Sequence, residues 1–167
     1  IMQLSLSADS LLCHGDADAT AFIDALINGI SPFSYIWNNG QITSNATNLS
    51  SGTYSLIITD DNNCSDSSIV NIFQPDSLIS NLSITSSYNG YDLSCFGSLD
   101  ASVNIATNGG VSPYLYSLDS IYFSSTSNYN NLGVGVFNLI TRDNNNCVIN
   151  SSITINSPDE LLANFDI

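Results

Sequence analysis

Short runs of alternating apolar and polar residues, separated by turn residues, fill most of this chain. Ala21, Ile23, Ala25 and Ile27 share one face of a first run; Phe33, Tyr35 and Trp37 share a face of a second, and Tyr54, Leu56 and Ile58 of a third. A period of two is the signature of a half-buried strand. Between the runs stand NGISP, NNGQ, SSG and DDNN, groups of residues suited to tight turns. Only TAFIDALIN, residues 20–28, would pass for a helix in isolation.

The pattern is written twice. NLSSGTYSLIITDDNNC at 48–64 returns as NLGVGVFNLITRDNNNC at 131–147, GISPFSY at 29–35 as GVSPYLY at 110–116, and QPDSLISNLSI at 74–84 as SPDELLANFDI at 157–167. Repetition at a fixed period is best read before anything else, because each copy then tests the other. It settles the ambiguous stretch: TAFIDALIN aligns with SVNIATN at 102–108, where Val103, Ile105 and Thr107 alternate, so both are strands. Pro32 and Pro113 fall at strand starts, where a missing N–H is tolerated. About seven short strands in roughly 80 residues, with turn signals at this spacing, predict an all-β chain of two tandem immunoglobulin-like β-sandwich domains. The expected limits are 1–76 for the first repeat and 77–158 for the second, with 159–167 opening a third; the chain reads as an internal piece of a tandem array.

Charge narrows the function. One Arg, no Lys and 15 acidic residues give a formal net charge of −14. Such a surface repels phosphate backbones and anionic lipid, so neither nucleic acid nor direct membrane insertion is expected. No apolar run approaches the length of a membrane span, and IMQLSLSADS lacks the basic start and apolar core of a secretory leader.

Each repeat holds two cysteines, Cys13 with Cys64 and Cys95 with Cys147, about 50 residues apart in both. An even count at matched positions reads as one disulfide per domain. Closing such a loop stabilises a small domain by roughly 4 kcal/mol in the chain-entropy view. It also implies an oxidising compartment: periplasm, cell surface or beyond. Zinc lacks the usual paired-cysteine spacing; a buried free thiol in each unit is the blander alternative.

Taken in order, Cys-x-Gly, Gly-x-Ser-Pro-Phe-x-Tyr-x-Trp, Asn-Leu-x-x-Gly-Thr-Tyr, Thr-Asp-Asp-Asn-Asn-Cys and a closing Gln-Pro resemble the SprB repeat of giant surface adhesins of gliding and other Bacteroidetes. The likeness covers nearly the whole chain twice, more fully in the first unit; in the second, Leu118 stands in place of Trp37 and residues 119–130 are rewritten. The resemblance implies a secreted, extracellular, surface-anchored filamentous adhesin, acting in attachment and in some cells in gliding. It names no ligand.

Against that background the residues offer little for chemistry. The only histidine, His14, aligns with Phe96, a poor place for a catalytic base, and no nucleophile elbow, phosphate loop or HExxH motif is present, so no enzyme is expected. A Cys13–Cys64 bridge would draw Asp16 and Asp18 toward Asp60 and Asp61, and in the second unit Asp100 toward Asp143; oxygen ligands clustered on loops suit calcium, although aspartates also build turns. No cofactor is required by the sequence. Phe33, Tyr35, Trp37, Tyr54 and Phe137 fit a core better than a sugar platform, while Tyr122, Phe123 and Tyr129 are better ligand candidates because they do not recur. Ser10, Ser77 and Ser120 lie in Asp-Ser-apolar triplets that resemble the Bacteroidetes O-glycosylation motif. The expected partners are neighbouring repeats of the same chain and surface polysaccharide; the expected role is a stalk, with a carbohydrate-binding module as the alternative.

Overall fold

A computed structural model describes residues 2–118 and 120–163. The chain divides into two compact units, Ile1–Asp76 and Ser77–Ile167. Residues 159–163, expected to open a third repeat, group with the second unit without regular structure, and 164–167 lie outside the described residues.

Unit one has six strands: β1 Gln3–Ala8, β2 Ala19–Ile27, β3 Ser34–Trp37, β4 Ala46–Leu49, β5 Gly52–Thr59 and β6 Ser65–Ile72. They form two antiparallel three-stranded sheets, β1-β2-β4 and β3-β5-β6. Unit two repeats this with β7 Ile79–Ile84, β8 Ala101–Asn108, β9 Leu115–Ser117, β10 Asn128–Leu132, β11 Gly135–Arg142 and β12 Val148–Ile155, ordered β7-β8-β10 and β9-β11-β12. Among the described residues each unit is an Ig-like sandwich of six strands, where about seven are expected from the sequence. Between β3 and β4 the chain spends eight residues on a turn instead of a further strand: Gly40 N–H bonds Trp37 O, and the Gln41 side chain ties both ways to the Thr47 backbone.

The alternation points where expected over most strands. Trp37, Leu56, Ala21 and Leu49 are buried in unit one with Leu11, Ala19, Ala46 and Ile72, while Tyr35 and Tyr54 pack against them. In unit two Val103, Ile105, Tyr116 and Leu139 are buried. The second half of β2 departs from the expectation: Ala25 is exposed and Ile27 is 49% exposed, while Leu26 is half-buried. The register against β1 jumps from Ser5↔Ala25 to Leu6↔Ile23. Asp24 is the extra residue of a β-bulge, which reverses the inward phase beyond it.

Turn chemistry explains the asparagine content. Among the described residues, six of the seven non-glycine positions with positive φ are asparagines, four of them in matched pairs, Asn48 with Asn131 and Asn63 with Asn146. Asparagine is among the few residues that enter the left-handed region cheaply. Where Ile58 fills the core of unit one, unit two places Thr141, fully buried, whose hydroxyl donates to Ser80 Oγ at 2.9 Å. Tyr116 OH donates to Thr107 Oγ1 nearby, so this end of the second core is a satisfied polar network.

Candidate functional site

The two cysteine-bearing segments are the most strongly repeated local structures. After β5 the chain turns through Asp60–Cys64 into β6. Asp60, 7% exposed, folds its carboxylate back into the turn. Its Oδ1 accepts the N–H groups of Asn62 and Cys64, both at 2.9 Å, and its Oδ2 accepts that of Ile30 at 3.3 Å. Asp60 N–H bonds Cys64 O, and Asn63 N–H bonds Asp60 O with Asn63 left-handed at φ 58°. Unit two reproduces this: Asp143, 3% exposed, accepts Asn145, Cys147 and Val111 N–H, each at 2.9 Å. A buried carboxylate that holds several backbone donors satisfies groups that would otherwise be orphaned. In unit two the bend before β9 is brought against it. Gly110, at φ +56°, approaches so closely that a Cβ there would sit 2.7 Å from Asp143 Oδ2.

The other cysteine of each unit belongs to a Cys-x-Gly turn after the first strand. Gly15 and Gly97 take positive φ, and the residue after each glycine donates to the cysteine carbonyl: Asp16 to Cys13 and Ser98 to Cys95. In unit one this turn is fastened to the chain just past β6. Leu11 N–H bonds Phe73 O, Gly15 N–H bonds Gln74 Oε1, and His14 Nδ1 lies 3.1 Å from Pro75 O. In unit two Asp92 and Asn156, just past β12, are bonded to each other in the same place.

These anchors overturn the within-unit pairing. Cys64 precedes the first residue of β6, whereas Cys13 lies beside the residues that follow its last; eight extended residues span about 26 Å. Cys147 and Cys95 are separated by β12 in the same way. A disulfide requires Cα atoms within about 7 Å. Neither Cys13–Cys64 nor Cys95–Cys147 forms: Cys13 and Cys147 are disulfide-bonded, and Cys64 and Cys95 are exposed free thiols. The expectation of one bridge inside each domain is therefore corrected.

The calcium grouping falls with it, because the bridge was what gathered the carboxylates. Asp16 accepts Cys13 N–H at one end of the unit, while Asp60 and Asp61 lie in the turn at the other. Asp18 is exposed, and Asp100 accepts Ser94 N–H at the end of unit two away from Asp143. Asp60 and Asp143 already spend their oxygens on backbone donors. Among the described residues no cluster of three or more metal-ligating side chains exists.

The aromatic residues divide. Trp37 is 1% exposed and its Nε1 donates to Thr43 O at 2.9 Å, so it is core. Phe33, Tyr35, Tyr54 and Phe137 are half-buried. Of the non-recurring set, Tyr122 is 79% exposed and Tyr129 is half-buried against the second core. Phe123 is covered by the only cation of the chain, with Arg142 Cζ 4.2 Å from its ring centroid. Ser10, Ser77 and Ser120 are all exposed; Asp119 lies outside the described residues. Asp60 and Asp143 act as turn organisers, the alternative to calcium that the sequence offers. The signal was available in the repeat itself, where this aspartate recurs while its neighbour changes from Asp61 to Asn144.

Residues 88–121 match the family model of the SprB repeat. The match falls in the second unit, although the first carries the fuller motif. No curated protein matches the chain. Among solved structures, the three N-terminal domains of the bacteriophage RB49 highly immunogenic outer capsid protein are similar, with a TM-score of 0.51 and 14% identity over 93% of this chain and 59% of that one. A C-terminal 282-residue fragment of intimin, solved with the intimin-binding domain of its translocated receptor, gives a TM-score of 0.46 and 14% identity over 92% of this chain and 64% of that one. The chain thus spans less than two thirds of either, and at such identity the first likeness speaks to the fold alone. No helix among the described residues is long and apolar enough to cross a membrane. SprB repeats occur in cell-surface proteins. This chain is a pair of Ig-like units, the second of which contains a segment recognised as SprB repeat.

Proposed function

We propose that the chain is a stalk segment of a large secreted, cell-surface filamentous adhesin, serving attachment and, in gliding cells, movement. The observation that supports this best is what the two units share. The recurring features are internal ones: the buried Asp60 and Asp143 turns, the bends bonded to them through Ile30 and Val111 N–H, and the sandwich cores. The exposed groups do not recur; Tyr122 and the Phe123–Arg142 pair have no counterparts in unit one. Duplicating a unit for its binding surface would keep that surface, whereas duplicating it for length keeps the scaffold. The acidic coat suits a filament that must not adhere to its neighbours.

A second reading, a carbohydrate-binding module, is favoured by one feature. The outer face of β11 and β12 carries a shallow cleft of about 400 Å³ lined by Ser120, Asn138, Ile140, Asn150 and Ser152, hydroxyl and amide groups of the kind that bind sugars. A glycan array probed with the whole chain separates the two. The stalk reading expects no saturable binding; saturable binding lost in Asn138→Ala establishes the module instead.

A further inference from the structure

The two units finish the same sheet edge differently. β3 and β9 are equivalent edge strands, paired on one side only, with β5 and with β11. Tyr116 of β9 turns its N–H and C=O away from β11, and unit two's own chain takes both. Tyr116 N–H donates to Ser124 O at 2.8 Å, and Ser124 N–H donates to Tyr116 O at 3.0 Å. Tyr35 is the counterpart in β3. Antiparallel ladders alternate between bonded and unbonded residue pairs. Asn38 N–H bonds Ser55 O, so Ile36 bonds across to β5 while Tyr35 and Trp37 turn their groups outward. Trp37 is satisfied by the turn that follows, its N–H by Gln41 O and its C=O by Gly40 N–H. Tyr35 N–H and C=O meet no partner among the described residues.

The surface beside this edge differs in the same sense. Ile36 and Ile57 stand opposite each other on β3 and β5, 57% and 48% exposed, with exposed Ile69 of β6 diagonal to them. Their counterparts Ser117 and Ile140 also stand opposite each other, but Ser117 is buried and Ile140 half-buried. Unit two thus closes its edge with its own chain, whereas unit one leaves the edge open and lines it with isoleucine. The open region is also uncharged: no Asp, Glu, Lys or Arg occurs from Ala25 to Thr59, in a chain of 15 acidic residues.

We propose that β3 of unit one pairs with β3 of a second copy of this chain, antiparallel about a two-fold axis at Tyr35. Each Tyr35 N–H donates to the Tyr35 C=O of the other copy, the same reciprocal pair of bonds that Tyr116 and Ser124 make. Ile36 then lies beside Ser34 of the second copy on the outer face, and the two β3-β5-β6 sheets become one. A second copy is the occupant because the edge complements itself. The free donor and the free acceptor sit on one residue, and the strands around it carry no charge, whereas the net charge of −14 keeps copies apart elsewhere. Such an interface is isologous and closes at a dimer. With two backbone bonds at its centre the dimer is weak and depends on concentration. The pairing goes beyond the stalk reading and does not depend on it.

The test uses the whole chain with the exposed thiols of Cys64 and Cys95 capped by iodoacetamide, so that no covalent dimer is counted. Sedimentation velocity from micromolar to millimolar concentration should show a monomer passing into a dimer and nothing larger. Added salt should move that passage to lower concentration, because it screens the acidic copies from each other. Amide exchange read by NMR locates the bond: Tyr35 N–H should exchange about tenfold or more slowly in the concentrated sample than in the dilute one, while Tyr116 N–H is protected in both. Ile36→Asp brings a like charge to the edge from both copies and should weaken the dimer about tenfold or more. Val136→Asp, the same charge at an exposed position of β11, should leave it unchanged. A monomer at every concentration overturns the proposal. So does a dimer in which Tyr35 exchanges as fast as in the dilute chain, or one that Ile36→Asp leaves intact while keeping the wild-type melting curve.

Discussion

Asp60 Oδ1 accepts the backbone N–H of Cys64 at 2.9 Å, and Asp143 does the same for Cys147. The carboxylates that the sequence offers as metal ligands are instead the internal braces of the turns that carry the cysteines.

Replacing a brace should therefore unfold a unit without any metal being involved. In Asp60→Ala three backbone donors lose their acceptor, and the expected loss is roughly 2–4 kcal/mol. Urea unfolding followed by the fluorescence of Trp37, the only tryptophan, reads this in unit one. Asp61→Ala, at an exposed position in the same turn, should change stability by less than about 0.5 kcal/mol.

Gly110 makes a second test of the same turn. Alanine there combines a left-handed backbone with a Cβ 2.7 Å from Asp143 Oδ2 and 3.1 Å from Leu78 Cδ1. A cost of about 2–3 kcal/mol is expected in thermal melts. Gly40→Ala shares the positive φ but meets nothing within 4 Å, and should cost about 1 kcal/mol.

Trp37 fills the first core where Leu118 stands in the second. Trp37→Leu imitates the second unit but removes ring volume and the Nε1 bond to Thr43 O. It should destabilise unit one by roughly 2–4 kcal/mol, read as a lower urea midpoint in far-UV circular dichroism.

Calcium should leave stability unchanged. The aspartates nearest Cys13 and those nearest Cys64 lie at opposite ends of the sandwich, so they cannot supply the six or so oxygens that a calcium ion takes. Melting midpoints with millimolar calcium and with chelator should coincide; an upward shift with calcium would show that another set of oxygens binds it.

Much of the fold was legible because strand periodicity and turn residues agree, and because the second copy arbitrates the first. TAFIDALIN is β2, as its counterpart required. The bulge at Asp24 left no mark in the alternation, since Ala25 and Ile27 are apolar whichever way they face. Thr141 in the second core was missed because a threonine in a strand reads as solvent-facing; only comparison with Ile58 exposes it. The cysteines misled for a different reason. Matched spacing shows that two positions are equivalent, but not that they are close. What separates Cys13 from Cys64 is the length of β6 together with the Leu11–Phe73 contact, and that contact is a property of the folded sandwich.

The placement of cysteines at opposite ends of each unit is tested most directly by differential alkylation of the folded chain. One reagent is applied before reduction, a second after unfolding and reduction, and each cysteine is assigned by mass spectrometry. Cys64 and Cys95 should carry the first label, and Cys13 and Cys147 the second. Protection of all four, with peptides joining Cys13 to Cys64 and Cys95 to Cys147, would contradict it.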